Sequence, residues 1–226
     1  MSRKPRAARS AFPSTEEIVI LGALLTLRDG SRVRLRQIRT SYRDLLLRGF
    51  ARLSDTSRYR RFLAPTPELT ESMARYLTEV DHRDHEAIAA LDEETGEGVG
   101  VARYVRSAER PDTAEVAVTV IDDWQGRGLG TMLLEVAGAR AREEGITTFT
   151  ALMLAANQEM MDVFERLGPV RVVDREAGTV EVEMPIQKVG LSPALRKLLR
   201  VAARQDVAAP LARRHLMPQF RPEAPR

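Results

Sequence analysis

Apolar and polar positions along the chain change period several times, and each change marks a predicted element. Ala23–Leu27 and Arg32–Ile38 read as strands around Asp29-Gly30, a dipeptide that favours a tight primed turn, so a β-hairpin is expected. Val33 and Leu35 alternate there with Arg32, Arg34 and Arg36, leaving one face wet. Helical spacing follows, with Thr40 or Ser41 placed to cap a helix carrying Leu45, Leu46, Gly49, Phe50 and Leu53. A shorter helix around Ser57–Leu63 stops before Pro65 and Pro67, and a third runs from about Thr70 to Val80. Period two returns over Ala87–Leu91, Val99–Val105 and Glu115–Ile121, which predict three strands. A glycine-rich turn then opens a helix with Leu129, Met132, Leu133, Val136 and Ala137 on one face, ended by Gly145. Phe149–Leu154 reads as a strand and Gln158–Leu167 as a helix. Val170–Asp174 and Val180–Pro185 form a closing hairpin around Ala177-Gly178. The order predicts an α/β fold with a mixed, mostly antiparallel sheet flanked by helices.

Charge divides the chain more sharply than its total suggests. The 226 residues carry a net charge of +3. Four cations fall in residues 1–10, and nine cations against two anions fall in residues 188–226. Residues 11–187 therefore hold 22 cations and 30 anions, a net of −8. We read residues 1–15 as a disordered basic arm, 16–187 as one domain, and 188–226 as a basic helix and tail. In that tail Leu195, Leu198, Leu199 and Ala202 line one side of a helix, suited to packing on the core or on a second subunit in a homodimer. Basicity confined to the ends argues against a core that binds nucleic acid. No apolar run approaches the roughly 20 residues of a membrane helix, and the opening residues lack the apolar core of a secretory signal. A cytoplasmic protein without membrane attachment is expected. Cysteine is absent, which removes disulfides, thiolate metal sites and cysteine nucleophiles.

The chemistry concentrates between Val116 and Thr131. A β-branched strand runs into Gly126, Gly128 and Gly130, and a helix begins among them. Unpaired amides at a helix N-terminus, with the positive end of its dipole, make an anion site suited to phosphate. Arg127 is placed to add a charge-assisted contact. A Rossmann fingerprint would require Gly or Ala where Thr131 stands, and the strand at 149–154 lacks the acidic partner. A phosphate-binding P-loop would require Gly-Lys-Ser/Thr, which is missing.

Gln125-Gly126-Arg127-Gly128-Leu129-Gly130 resembles the Gln/Arg-x-x-Gly-x-Gly/Ala signature of the GNAT superfamily, the acetyl-CoA-dependent N-acetyltransferases. The order strand, signature, helix, strand, Asn157 and helix is similar too, and the wording from Ala114 to Gln125 resembles the bacterial protein-lysine acetyltransferase branch. The resemblance covers roughly residues 23–186. It implies that backbone amides of Gln125, Gly126, Arg127, Gly128, Leu129, Gly130 and Thr131 hold the coenzyme A pyrophosphate. It also implies that the signature strand splays from its neighbour and offers backbone groups near Val118 and Val120 to the pantetheine. Asn157 would hydrogen-bond the pantetheine arm, although a plain helix cap is its alternative role. Glu115 stands where the histone-acetyltransferase branch has its glutamate base. Period two sets it with Ala117 and Thr119 on the face opposite Val116, Val118 and Val120. A carboxylate with the reference pKa of about 4.3 needs burial or an intervening water to serve as a base, and a solvent-facing strand glutamate is the alternative.

One position departs from the family pattern. The tyrosine that often protonates the leaving thiolate corresponds to Phe164, and Pro169 replaces an aromatic residue. The expected function is acetyl transfer from acetyl-CoA to a primary amine, a protein lysine in first place and a small amine in second. A catalytically idle acyl-CoA-binding sensor is the rival from another class. Asp81-His82-Arg83-Asp84-His85-Glu86 has metal-ligand residue types but reads as a polar turn, and no metal is expected. Tyr59 and Phe62, three apart on a helix, read as core anchors.

Overall fold

The computed structural model describes residues 22–186. The predicted basic arm at 1–15 and the C-terminal helix and tail at 188–226 lie outside the described residues. The order of elements follows the periodicity closely. Strands β1 (Leu24–Thr26) and β2 (Arg32–Gln37) precede helices α1 (Arg43–Ala51), α2 (Asp55–Phe62) and α3 (Glu71–Thr78). Strands β3 (His85–Asp92), β4 (Gly98–Arg106) and β5 (Thr113–Val120) then lead into α4 (Leu129–Glu143). The chain closes with β6 (Thr148–Leu154), α5 (Gln158–Leu167), β7 (Arg171–Glu176) and β8 (Thr179–Pro185). The eight strands form one sheet in the order β1-β2-β3-β4-β5-β6-β8-β7. Every neighbouring pair is antiparallel except β5 and β6.

Local chemistry explains most boundaries. Ser54 caps α2 by accepting from the Ser57 amide, and Thr70 caps α3 by accepting from the Met73 amide. Asn157 does the same for α5 through Met160. The expected cap of α1 is not realised: Thr40 and Ser41 form a 3-10 turn, and Tyr42 precedes α1 without a side-chain bond. Gly30 is the sole tip residue of the first hairpin at positive φ, and Leu27 N–H donates to Ser31 O. That loop therefore has three residues, Arg28–Gly30, and not the expected two-residue primed turn. The last hairpin does use a primed turn, with Ala177 and Gly178 both at positive φ.

Helix α4 lies across one face of the sheet against β3, β4 and β5, while α1 to α3 cover the other. Its apolar face is the predicted one: Leu129, Leu133, Val136 and Ala137 are buried with Ala102, Tyr104 and Val116. Phe62 also joins the core, edge-on to Phe50 with ring centroids 5.9 Å apart. Tyr59 is exposed, so only one of the two expected anchors on α2 performs that task. Beneath the apolar layer Glu86 is fully buried and shared among Gln37 Nε2 at 2.9 Å, His82 Nδ1 at 2.9 Å and Arg140 Nε at 3.5 Å. The two hydrogen bonds and the ion pair with Arg140 offset the cost of burying this charge, and they join β2, β3 and α4.

Helix α4 and the sheet come close together at Gly100. A Cβ there would lie 3.0 Å from Leu133 Cδ1, 3.3 Å from Leu129 Cδ2 and 3.3 Å from the Thr119 carbonyl. Leu133 has no exposed surface and cannot yield cheaply. Gly100→Ala is expected to lower stability by about 1–3 kcal/mol through overpacking, despite the better strand propensity of alanine. Urea denaturation measures it, and equal or higher stability would show that α4 has room to shift.

Candidate functional site

The site begins where the single parallel pairing ends. β5 and β6 are in register only over Thr113–Glu115 and Thr148–Thr150. Beyond them β5 stays bonded to β4 up to Val120, and β6 stays bonded to β8 up to Leu154. The two halves of the sheet keep their outer partners while their facing edges part. A cleft of about 620 Å³ opens between them, lined by Val116–Val120, Ala151–Met153, the glycine turn and α5.

Hydrogen-bond alternation dictates what β5 shows to this cleft. Ser107 N–H donates to Thr113 O, and Ile121 N–H to Val99 O. In an antiparallel ladder bonded pairs recur every second residue, so Glu115, Ala117 and Thr119 spend their backbone groups on β4. The amides and carbonyls of Val116, Val118 and Val120 point the other way, toward β6. Val118 and Val120 lie past the last β6 partner, so these groups face the cleft. One is occupied: Gln125 Nε2 donates to Val120 O at 3.0 Å and to Ser57 Oγ at 3.3 Å.

The turn that follows is fixed from both sides. Asp122 accepts from Ser54 N–H at 3.0 Å, Ser54 Oγ at 2.7 Å and Ser57 Oγ at 2.9 Å, tying α2 to the turn. Burial pushes the Asp122 carboxyl up, but these bonds outweigh it and hold the group below its ordinary range. Gly126 and Gly128 stand at φ 73° and 86°, which L side chains rarely adopt. Gly130 is an ordinary helical residue whose Cβ position lies 3.7 Å from Val120 Cγ2. Gly128 precedes α4 without supplying a side-chain cap. The first amides of a fifteen-residue helix therefore stay open beside the cleft, at the positive end of its dipole.

Glu115, Val118, Val120, Gln125, Gly126, Gly128, Leu129, Gly130, Thr131 and Asn157 all line this one cleft. Leu129 contributes backbone alone, because its side chain is buried in the core. The Arg127 side chain is engaged elsewhere. Its guanidinium pairs with Asp29 at 2.8 Å, donates to Asp123 O at 2.6 Å and lies 4.7 Å over the Trp124 ring. It does not line the cleft. Arg28, from the β1–β2 hairpin tip, does line it, with Nε 3.7 Å from where a Gly128 Cβ would be. Nothing near Arg28 in the sequence marks it, since 100 residues separate it from the turn.

Glu115 is exposed and is the last β5 residue paired with β6. It shares a face with Ala117 and Thr119, as period two requires, while Val116 is buried on the other. Arg61 of α2 lies near it: burial pushes the guanidinium down, and the charge of Glu115 pulls it back. Arg60 lines the same wall and pairs with Glu159 of α5 at 2.8 Å, bridging helices on opposite sides of the cleft. Asn157 lends Oδ1 to the Met160 amide at 3.3 Å, so the cap role is realised and its amide NH2 remains for another partner. Phe164 is 2% exposed and packs into the core at the cleft wall. Among the described residues lining the cleft, hydroxyls come from Ser57, Thr119 and Thr131 only.

Only the first part of the Asp81–Glu86 stretch is a polar turn, because His85 and Glu86 already belong to β3 and Glu86 is buried. Asp81 Oδ1 accepts from the amides of Arg83, Asp84 and His85. Burial, reinforced by Arg103, pushes His85 down to about 4, so its ring is neutral near neutral pH. Among the described residues no group of three or more His, Cys, Asp and Glu could hold a metal ion. No described helix is long and apolar enough to cross a membrane.

Known proteins resemble this chain in sequence and fold. The family model described as "Acetyltransferase (GNAT) domain" matches residues 32–170. Acetyltransferase Pat of Mycolicibacterium smegmatis is 33% identical over 186 residues, covering 81% of this chain and 55% of that protein. The chain thus spans little more than half the length of that relative. Acetyltransferase PA5475 of Pseudomonas aeruginosa is 33% identical over 156 residues, covering 68% of this chain and 83% of that one. The crystal structure of the GNAT domain of S. lividans PAT superposes with a TM-score of 0.69 at 35% identity, covering 77% of this chain and 99% of that domain. A cAMP-binding acyltransferase from Mycobacterium smegmatis has a TM-score of 0.53 at 28% identity, covering 88% of this chain and 62% of that one. With more than half of its residues inside the matched domain, the chain belongs to the GNAT family of acetyltransferases, enzymes that draw on acetyl-CoA.

Proposed function

We propose that this protein transfers an acetyl group from acetyl-CoA to a primary amine, a protein lysine in first place, with Glu115 as the general base. The observation that carries the reading is the parted pair β5–β6, which presents the Val118 backbone beside an uncapped helix N-terminus. Those two features suit the two halves of one molecule, an amide-bearing arm and a pyrophosphate. Val118 would bond the arm as a lost strand would, Asn157 would offer its free NH2, and the amides from Gly126 to Thr131 would hold the phosphates. Acetyl-CoA supplies the activated thioester. The protein must position an amine, take its proton and leave room for water.

Glu115 has the place for that proton. It stands at the vertex of the cleft, exposed, on the face that α2 shares. Its exposure favours relay through one water over direct transfer. The net charge of −8 over residues 11–187 favours a cationic acceptor, and the resemblance to the protein-lysine branch supports lysine. A small amine would satisfy the same chemistry. Phe164 favours the rival reading of an idle acyl-CoA-binding sensor, because no hydroxyl stands in its place to protonate the thiolate. A thiolate with a pKa near 8.5 can leave without an acid, so an inactive enzyme does not follow. Release of coenzyme A in the presence of lysine peptides and small amines decides between the two: turnover with none of them would leave the sensor.

Glu115→Gln keeps the size of the side chain but cannot accept the proton. We expect kcat to fall on the order of 10²–10⁴ with acetyl-CoA affinity unchanged, and the deficit to shrink as pH rises toward the amine pKa of about 10.4. Wild-type turnover near neutral pH would remove Glu115 from catalysis.

Gly128→Asp places a carboxylate among the turn amides and beside Arg28, at a φ that aspartate tolerates better than most residues. Acetyl-CoA binding is expected to vanish while the circular dichroism spectrum is kept. Unchanged affinity by calorimetry would move the phosphates elsewhere.

A further inference from the structure

The sequence places Arg127 at the phosphate turn, but the fold turns its side chain to a different task. Arg127 reaches out to Asp29, whose other oxygen accepts from Ser31 N–H at 3.1 Å and from Ser31 Oγ at 2.6 Å. This latch holds the three-residue tip of the β1–β2 hairpin against the glycine turn. The next residue on that tip is Arg28. Its Nε lies 3.7 Å, and its Cζ 4.0 Å, from the Cβ position of Gly128. It lines the same cleft as the open amides of α4. Arg127 and Asp29 neutralise one another, whereas Arg28 has no hydrogen bond or ion pair among the described residues. An exposed, unpartnered cation thus stands beside a turn whose glycines keep side chains away.

We propose that the β1–β2 hairpin tip is the second half of the anion site, with Arg28 clamping the coenzyme pyrophosphate against the amides of the glycine turn. This rests on the acetyl-CoA reading of the cleft and adds a binding residue to it. The backbone amides supply directional donors without a full charge, and Arg28 supplies the full charge and a planar fork suited to phosphate oxygens. Arg127 acts at one remove as a positioning residue, because its pairing with Asp29 fixes the hairpin that carries Arg28.

Calorimetry with three ligands on Arg28→Ala tests the clamp, read as binding and not as turnover. Acetyl-CoA and acetyl-dephospho-CoA should each bind roughly tenfold more weakly, while S-acetylpantetheine, which has no phosphate, should bind as it does to the parent. Arg28→Lys should recover part of the loss, since it keeps the charge but not the fork. Unchanged affinity for acetyl-CoA would overturn the clamp. A loss confined to acetyl-CoA would assign Arg28 to the 3′-phosphate and overturn the pyrophosphate contact, and an equal loss on S-acetylpantetheine would mean only that the cleft had deformed. If the parent protein binds acetyl-CoA and only the clamp test fails, the reading of the cleft survives. If the parent binds none of the three ligands, both fall.

Discussion

β5 and β6 share three residue pairs, and the site depends on what holds them apart after the third. Each strand keeps a complete antiparallel partner on its outer side, β4 for one and β8 for the other, so neither sheet half needs the inner edge for its own stability. Backbone groups left without a partner usually cost about 1–3 kcal/mol each when shut away from water. Here they border an open cleft, so the cost is met by solvent or by a ligand that imitates a strand. The same parting puts Glu115 at the vertex, at the last point where the strands meet. It also delivers the end of β5 to a turn that opens onto a helix N-terminus. The position of Glu115, the free strand edge and the open helix amides all follow from one interruption in one ladder.

The supporting contacts come from far along the chain. Asp122 takes three bonds from Ser54 and Ser57, and Gln125 returns one to Ser57, so α2 fixes the turn from one side. The Arg127–Asp29 pair fixes it from the other. Gly100 lets α4 settle close on β4, and that depth sets where the helix amides emerge. These contacts leave the glycine turn preorganised, with little ordering required when an anion arrives.

Much of this was legible in the sequence, for identifiable reasons. The bounds of α5 are the predicted Gln158–Leu167 because Asn157 caps its start and the glycine at 168 follows its end. The face of Glu115 followed from the two-residue period of a strand, which the register with β4 reproduces. The glycine turn was visible because positive φ demands glycine. What the sequence hid is long-range. Nothing local says that Arg127 pairs with Asp29 while Arg28 lines the cleft, or that Glu86 is buried against Gln37 and Arg140. Nor could spacing on α2 show that Phe62 enters the core while Tyr59 remains outside. Such choices are made by the partner surface and not by the period of the element.

The most direct measurement of the central claim is a crystal structure with acetyl-CoA bound. The account predicts an extended pantetheine arm between β5 and β6, hydrogen-bonded to the backbone of Val118, with the thioester beside Glu115 and the pyrophosphate on the amides from Gly126 to Thr131. A coenzyme bound on any other surface, with the β5–β6 cleft holding only water, would contradict it.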